Sequence, residues 1–377
     1  MKKAMLLTYI LLFLAVCWAP LLAIAFGVKS PNQEKRILAE KPALFTPHGL
    51  NLNFPKQFNA YFSDHFGLRS TCVTAYTALI YYTLNDSVNE QVMTGRNGWL
   101  FFGPTLKDYT AINTLTDLQI DRIVKTLVQQ EAYLSSLGIT FLFTIAPNKS
   151  SVYPEHMPAR YRPQLQQNNL HKLSKALEKE AIHYVDLLEP LRAAKHKHQV
   201  YHTKDTHWNN IGARIAAQTL LSRVQEIRPD IALSDPVPAR YQLAQTWLGD
   251  LSQMLLPALA IKDEQAIYDI SENYTWKENG RRPRSQRNPE ALHINTTRDI
   301  NSVSLFMFRD SFANALIPFI SSRCAKVHYT RAVPYDYTEI ESLSPDVVFL
   351  EIAERNIPNL LKYIPVLPSN KPHFALQ

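Results

Sequence analysis

The chain has 377 residues, 46% of them hydrophobic and 19% charged, with a formal net charge of +7. That balance fits one large or two modest folded domains and excludes a disordered chain, while the positive charge admits a polyanionic partner or an anionic membrane surface without requiring either. Of three cysteines, one lies in the first apolar segment, so only Cys72 and Cys324 could bridge; this excludes a disulfide framework and argues against a thiolate zinc site.

In chain order, Lys2 and Lys3 precede an apolar run from Ala4 to Val28, interrupted only by Thr8 and Pro20. It exceeds the roughly 20 residues needed to cross a bilayer. The lysines would stay on the cytoplasmic side, placing the rest of the chain in the periplasm if the cell is bacterial. A cleaved signal peptide is the competing reading, with Ala23-Ile24-Ala25 as the processing site. The run is longer than the roughly 15-residue core of such signals, so a retained anchor is preferred. Leu14-Ala15-Val16-Cys17 has some likeness to a lipoprotein box but is read as lipid-facing packing. The expected organisation is an anchor or uncleaved signal over 1–28, a polar linker over 29–53, and one domain over 54–377.

From Phe54 to Tyr82, Phe58, Tyr61, Phe62, Phe66, Val73, Tyr76 and Leu79 recur at helical spacing, predicting one or two amphipathic helices over a core. Asp64, His65 and Arg69 read as an ion-paired helix face. Asn97-Gly98 beside Trp99, Leu100 and Phe101 signals a hairpin turn and a buried strand. A helix over 115–137 ends at Gly138, and Ile139 to Ile145 is a continuous apolar strand. Pro147 to Glu155 follows as a polar turn at the edge where open α/β sheets bind ligands. There Asn148 either donates to an oxyanion or caps the turn. A helix over 164–179 and a strand over 182–188 continue the βα alternation.

Lys195-His196-Lys197-His198, with His202 and His207 beyond, raises a metal question. The interleaved lysines oppose a dication, so a solvated basic loop is read and no metal is assigned. Asp205-Thr206-His207-Trp208 then precedes a helix over 209–224. Gly249-Asp250-Leu251-Ser252 resembles an esterase box with two letters exchanged, but no apolar strand feeds it, so Ser252 ranks below Ser311. The polar stretch 262–298, carrying Arg281, Arg282, Arg284 and Arg287, reads as a surface insertion. An acidic polymer would suit it, although plain solvation is preferred.

Leu305 to Phe308 is a short apolar strand that runs through Arg309 and Asp310 into Ser311, where a nucleophile would stand at the carboxyl edge of the sheet with backbone N–H groups open to an oxyanion. A Ser-His-Asp set follows from these residues: Ser311 attacks a carbonyl, His207 takes its proton, and Asp205 orients the imidazole. An Asp-x-His pair by itself is more often a turn or a helix cap. Further strands are expected over 325–329 and 346–351, with Glu354-Arg355 at the end of the latter to position substrate or cap a turn.

Asn32-x-Glu34-x-Arg36, Tyr61-Phe62-x-Asp64-His65-Phe66-Gly67-x-Arg69, Gly98-Trp99-Leu100-Phe101, Pro147-Asn148-Lys149, Asp205-Thr206-His207-Trp208, Gly249-Asp250-Leu251, Arg309-Asp310-Ser311-Phe312 and Glu354-Arg355 occur in this order. In that series the chain resembles alginate O-acetyltransferases of the AlgJ/AlgX type, a branch of the SGNH-hydrolase-like proteins. The resemblance implies a flavodoxin-like α/β/α sandwich with a mainly parallel sheet behind the N-terminal transmembrane helix. It also implies a circularly permuted order in which Asp205 and His207 precede Ser311, the acyl carrier. Arg309 stands where the larger group has the glycine of its Gly-Asp-Ser box, and its second-block glycine has no counterpart. The oxyanion hole then rests on the Ser311 amide and Asn148, with Arg309, Tyr153 and Arg355 as further candidates for substrate contact. No carbohydrate-binding module is identified, which favours the AlgJ-like arrangement.

The expected function is transfer of acetyl to hydroxyls of an extracytoplasmic polysaccharide, alginate-like or another exopolysaccharide, without a cofactor. The resemblance adds a multispanning membrane acyltransferase as the acetyl supplier. A polysaccharide acetylesterase with the same triad and a noncatalytic polysaccharide-binding or assembly protein are the alternatives.

Overall fold

The computed structural model describes residues 2–28, 38–47, 49–162, 167–180, 182–236, 240–270, 274–278 and 287–368. Asn32, Glu34 and Arg36, the first part of the expected linker, the start of the helix expected at 164, and Arg281, Arg282 and Arg284 lie outside them. The chain divides into two units, residues 1–94 with 248–262, and 95–247 with 263–377.

In the first unit, α1 (Lys2–Ala25) is long and apolar enough to cross a membrane. A small hairpin at 45–50 leads to α2 (Phe54–His65) and α3 (Arg69–Leu84). The helix Asp250–Leu255 returns to this unit, where Asn89 Nδ2 donates to the Met254 carbonyl at 3.0 Å and Ala258 N–H to Thr74 Oγ1 at 2.8 Å. The two helices form as the periodicity predicts, but they do not cover a core. No residue of α2 is buried, and α3 buries Ser70, Thr74 and Thr77 while Tyr76, Leu79 and Tyr82 stay exposed.

The second unit is built on a seven-stranded sheet. Its strands in chain order are β1 (Thr140–Ala146), β2 (Tyr184–Val185), β3 (Thr275–Glu278), β4 (His293–Thr297), β5 (Ser304–Phe308), β6 (Lys326–Thr330) and β7 (Val347–Ala353). Across the sheet the order is β2-β1-β7-β5-β6-β4-β3. The first five in that order are parallel, aligned as Phe308 with Leu350 and as Ala353 with Ala146. These are the five strands the apolar runs predict. β1, β5 and β7 are buried almost throughout, because helices on the faces of a parallel sheet leave no room for polar alternation.

β4 and β3 pair antiparallel on the far edge. They come from the stretch expected to be a surface insertion, so part of that stretch extends the sheet. Their sequences, His-Ile-Asn-Thr-Thr and Thr-Trp-Lys-Glu, alternate as half-solvated edge strands do, which is why aliphatic content alone hides them. Also from that stretch, 263–268 pairs with 241–247 in a two-stranded ribbon.

Helix α4 (Asp117–Ser136), opened by a Thr116–Gln119 capping box, packs on β1 beside α5 (Asn169–Leu177). Asn168 caps α5, so that helix starts later than the pattern suggests. A second group joins α6 (Leu188–Lys195) and α7 (Asn210–Ile227). Parallel pairing brings the ends of β1, β5 and β7 to one edge, which sets Pro147, Arg309 and Glu354 in neighbouring turns.

Candidate active site

Ser311 stands three residues beyond β5, half-buried, and opens a short 3-10 helix, Phe312–Ala315. Its φ of −71° and ψ of −21° are ordinary helical values, so the turn carries no backbone strain. Asp310 shapes the turn. Its Oδ1 accepts from Phe312 N–H at 2.9 Å, and its Oδ2 from Ala353 N–H at 2.7 Å and Asn356 Nδ2 at 2.9 Å. Asp310 N–H in turn donates to Glu351 Oε2 at 3.0 Å. Burial inside β7, with Asp310 adding repulsion, holds the Glu351 carboxyl well above the usual carboxylate range.

Asp205 and His207 come from a loop closed by a bridge between Tyr201 and Trp208 and ended by α7, whose Asn209 caps its own first turn. Gly212 permits this placement: a Cβ there would lie 2.2 Å from the Val200 carbonyl oxygen, so a side chain would push the loop off the helix. Three groups fasten the loop to the sheet edge. Lys149, buried just past β1, donates from Nζ to the carbonyls of His202 and Thr203 at 3.1 Å each and of Asp205 at 2.6 Å. Tyr201 hydroxyl donates to Pro147 O at 2.6 Å, and Trp208 Nε1 to Phe312 O at 3.0 Å.

The result is a continuous chain of contacts. His207 Nε2 lies 2.9 Å from Ser311 Oγ, and His207 Nδ1 lies 2.7 Å from Asp205 Oδ1. A carboxylate only accepts, so Nδ1 carries the proton and the Nε2 lone pair faces the serine hydroxyl. Asp205 is buried; Oδ1 also accepts His207 N–H at 2.9 Å, while Oδ2 accepts the indole N–H of Trp247 at 3.0 Å. Trp247 stacks flat on His202, with ring centres 4.8 Å apart and planes within 5°. His202 is buried with neither ring nitrogen hydrogen-bonded among the described residues. Burial outweighs the pull of Asp205 and Asp263 and lowers its pKa to about 4.

The four residues expected at an oxyanion or substrate site separate. Asn148 is buried; its backbone N–H donates to Glu354 Oε2 at 2.7 Å, and its Nδ2 reaches Asp108 Oδ2 at 3.4 Å. It sits in a second acidic cluster rather than in hydrogen-bond contact with the Ser311–His207–Asp205 set. Arg309 is a buried brace. Its guanidinium donates to the carbonyls of Pro289 at 2.8 Å and Ala291 at 3.1 Å and to the Asn314 side chain, and burial lowers its pKa to about 10. Tyr153 is likewise buried, and its hydroxyl accepts Val200 N–H at 2.9 Å to hold the start of the loop. Arg355 is half-buried over the Phe312 ring at 5.0 Å and the Phe102 ring at 5.7 Å, one residue from the serine.

Lys149, Trp247 and Asp310 are the residues whose roles in this geometry the sequence reading missed, whereas Glu354, read as positioning substrate or capping a turn, accepts from the turn after β1. Lys149 and Asp310 lay inside motifs already singled out, and a charged residue within three positions of the end of a buried strand was the available signal. Trp247 carried none. Ser252, the lower-ranked serine, is buried with its hydroxyl donating to Gly249 O at 2.8 Å.

Residues 92–287, more than half of the chain, match the family model described as SGNH hydrolase-like domain, acetyltransferase AlgX. A protein named probable alginate O-acetylase AlgJ from Pseudomonas aeruginosa is 30% identical over 210 residues, 55% of this chain and 51% of that protein. Its namesake from Pseudomonas syringae is 27% identical over 180 residues, 48% and 45% of the two chains. This chain therefore spans about half the length of the curated relatives it matches. Among solved structures, Bacillus cereus PatB1 superposes with a TM-score of 0.53 at 17% identity, over 70% of this chain and 96% of its own, a likeness of fold.

Proposed function

This chain belongs to the family of SGNH hydrolase-like acetyltransferase AlgX domains, and from that premise we propose that it moves acetyl through Ser311 to hydroxyls of an extracytoplasmic polysaccharide. The observation that carries the proposal is the Asp205–His207–Ser311 chain at 2.7 and 2.9 Å. The names of the curated relatives, alginate O-acetylases, support the choice of polymer class.

Ser311 Oγ attacks the carbonyl carbon of an acetyl ester as its proton passes to His207 Nε2. The tetrahedral oxyanion forms beside the Ser311 backbone N–H, which no group among the described residues accepts, so it is open to stabilise that charge. The intermediate collapses, the donor oxygen leaves with the proton from His207, and acetyl remains on Ser311. A sugar hydroxyl then attacks while His207 takes its proton, and Ser311 departs with that proton restored. Asp205 keeps Nδ1 protonated in both halves and stabilises the imidazolium. Arg355, over the ring next to the serine, supplies a cation for the acceptor chain.

Helix α1 fits a single-pass membrane anchor. We place the remainder outside the cytoplasm on the strength of Lys2 and Lys3, with a multispanning membrane acyltransferase delivering acetyl. The test is to incubate the full chain in detergent with an acetyl ester and a uronate oligosaccharide, and to measure acetylated sugar against free acetate. Transfer predicts acetylated sugar that disappears in Ser311→Ala. Free acetate alone identifies an esterase, and acetylated sugar that persists in Ser311→Ala removes the serine from the mechanism.

A further inference from the structure

Helix α3 reverses the burial pattern of a water-exposed fold, and α2 buries no residue at all. α3 turns Ser70, Thr74 and Thr77 inward and presents Tyr76, Leu79, Tyr82 and Leu84 outward. Along α2, Phe54, Phe58, Phe62 and Phe66 stack four residues apart, with ring centres at 5.7, 6.4 and 6.2 Å, and Phe58 and Phe62 are exposed. The preceding hairpin adds exposed Phe45 and Leu50, and the turn after it exposed Leu52. So many outward apolar side chains within one unit mark a surface that something covers.

The contact with α1 says what covers it. At the turn between α2 and α3, a Cβ on Gly67 would lie 2.6 Å from Ala23 Cβ, 2.7 Å from Pro20 O and 2.9 Å from Ile24 N. The two backbones touch there, and Ala23 is buried. At 1.5 Å per residue, Pro20 lies about 7.5 Å back along the axis from the end of α1 at Ala25. In a chain anchored by α1, the α2–α3 turn is therefore held at or below the level where α1 leaves the hydrocarbon. Aromatic rings flanked by cations such as Lys56 and Arg69 are the composition that settles at a membrane interface.

We propose that α2 and α3 lie in the bilayer interface, with the Phe58–Phe62 and Tyr76–Leu79 faces inserted among the lipids of the leaflet from which α1 emerges. This rests on the anchor reading of α1, so the experiment reports on both. The full chain is reconstituted in nanodiscs of phosphatidylethanolamine and phosphatidylglycerol, with single nitroxides at Phe58→Cys, Tyr76→Cys or Leu79→Cys, exposed Cys17 and Cys72 replaced, and buried Cys324 retained. Leu11→Cys marks the middle of α1 and Lys125→Cys an aqueous site. In a separate chain with Cys17 alone replaced, Cys72, exposed on α3, serves as a label site that needs no substitution in that helix.

Power saturation should show greater access to oxygen than to a nickel chelate at 58, 72, 76 and 79, as at 11, with the order reversed at 125. Water-like values at 76 and 79 beside a lipid-like value at 11 would overturn the interfacial assignment and leave the anchor standing. A water-like value at 11 would overturn both. Spin–spin broadening at 76 and 79 would show a second copy of the chain, rather than lipid, on this face.

Discussion

Asp205 is positioned from two sides, by the His207 ring it orients and by the Trp247 indole N–H at its other oxygen. Replacing Trp247 with Phe keeps an aromatic ring against His202 and removes only that donor. A hydrogen bond to a charged group contributes about 1.5–3 kcal/mol, so the thermal midpoint should drop by a few degrees and kcat should fall roughly 10- to 100-fold with KM nearly unchanged. A change confined to KM would contradict the positioning role. His202 makes a second prediction. With its folded pKa near 4 and an ordinary value of 6.5, it stays neutral in the fold but protonates in the unfolded chain. Its contribution to stability is full above pH 6.5 and is lost as pH falls toward 4. His202→Phe should flatten that part of the urea-midpoint profile, and an unchanged acid limb would refute it. That Ser311, His207 and Asp205 come together was legible because the serine after a buried strand and the Asp-x-His before a helix each follow a recognisable local pattern. Trp247 was not, since it reaches Asp205 from 42 positions away with nothing local to flag it.

Among the elements, the turns after β1 and β7 are joined through one buried carboxyl. Glu354 accepts from Asn148 N–H at 2.7 Å, Asn168 Nδ2 at 2.8 Å and the Ser151 hydroxyl at 2.7 Å. Burial outweighs these donors and raises its pKa from 4.5 to about 7, while Asp108 nearby is raised to about 6 by the same cause. The folded state thus holds a proton that the unfolded chain releases, and stability declines as pH rises from about 4.5 through 7, by on the order of 3 kcal/mol for Glu354. In Glu354→Gln the midpoint should fall less between pH 5 and 8 than in the parent chain. Parallel profiles would contradict the assignment. The five parallel strands were readable as apolar runs, whereas β3 and β4 hid because edge strands alternate and carry threonine, lysine and glutamate. The periodicity of α2 and α3 was also readable, but it reports only that a helix has an apolar face, and says nothing of whether protein or lipid meets it.

At the scale of the whole molecule, the family assignment and the mostly parallel sheet were legible from the order of short motifs. The chemistry depends on something no motif states, that the Pro147–Lys149 turn and the Asp310–Phe312 turn hold one loop from two sides. Lys149 and Trp208 do this with hydrogen bonds to main-chain carbonyls, so the geometry survives wherever those carbonyls are presented and leaves little trace in residue identity. The central claim is that acetyl resides on Ser311 between donor and acceptor. Intact-mass and peptide mass spectrometry of the full chain, quenched after mixing with an acetyl ester in the absence of sugar, tests it most directly. The account predicts one acetyl group on the peptide bearing Ser311, absent from Ser311→Ala and discharged when oligosaccharide is added; acetyl on another residue, or turnover with an unmodified Ser311 peptide, would contradict it.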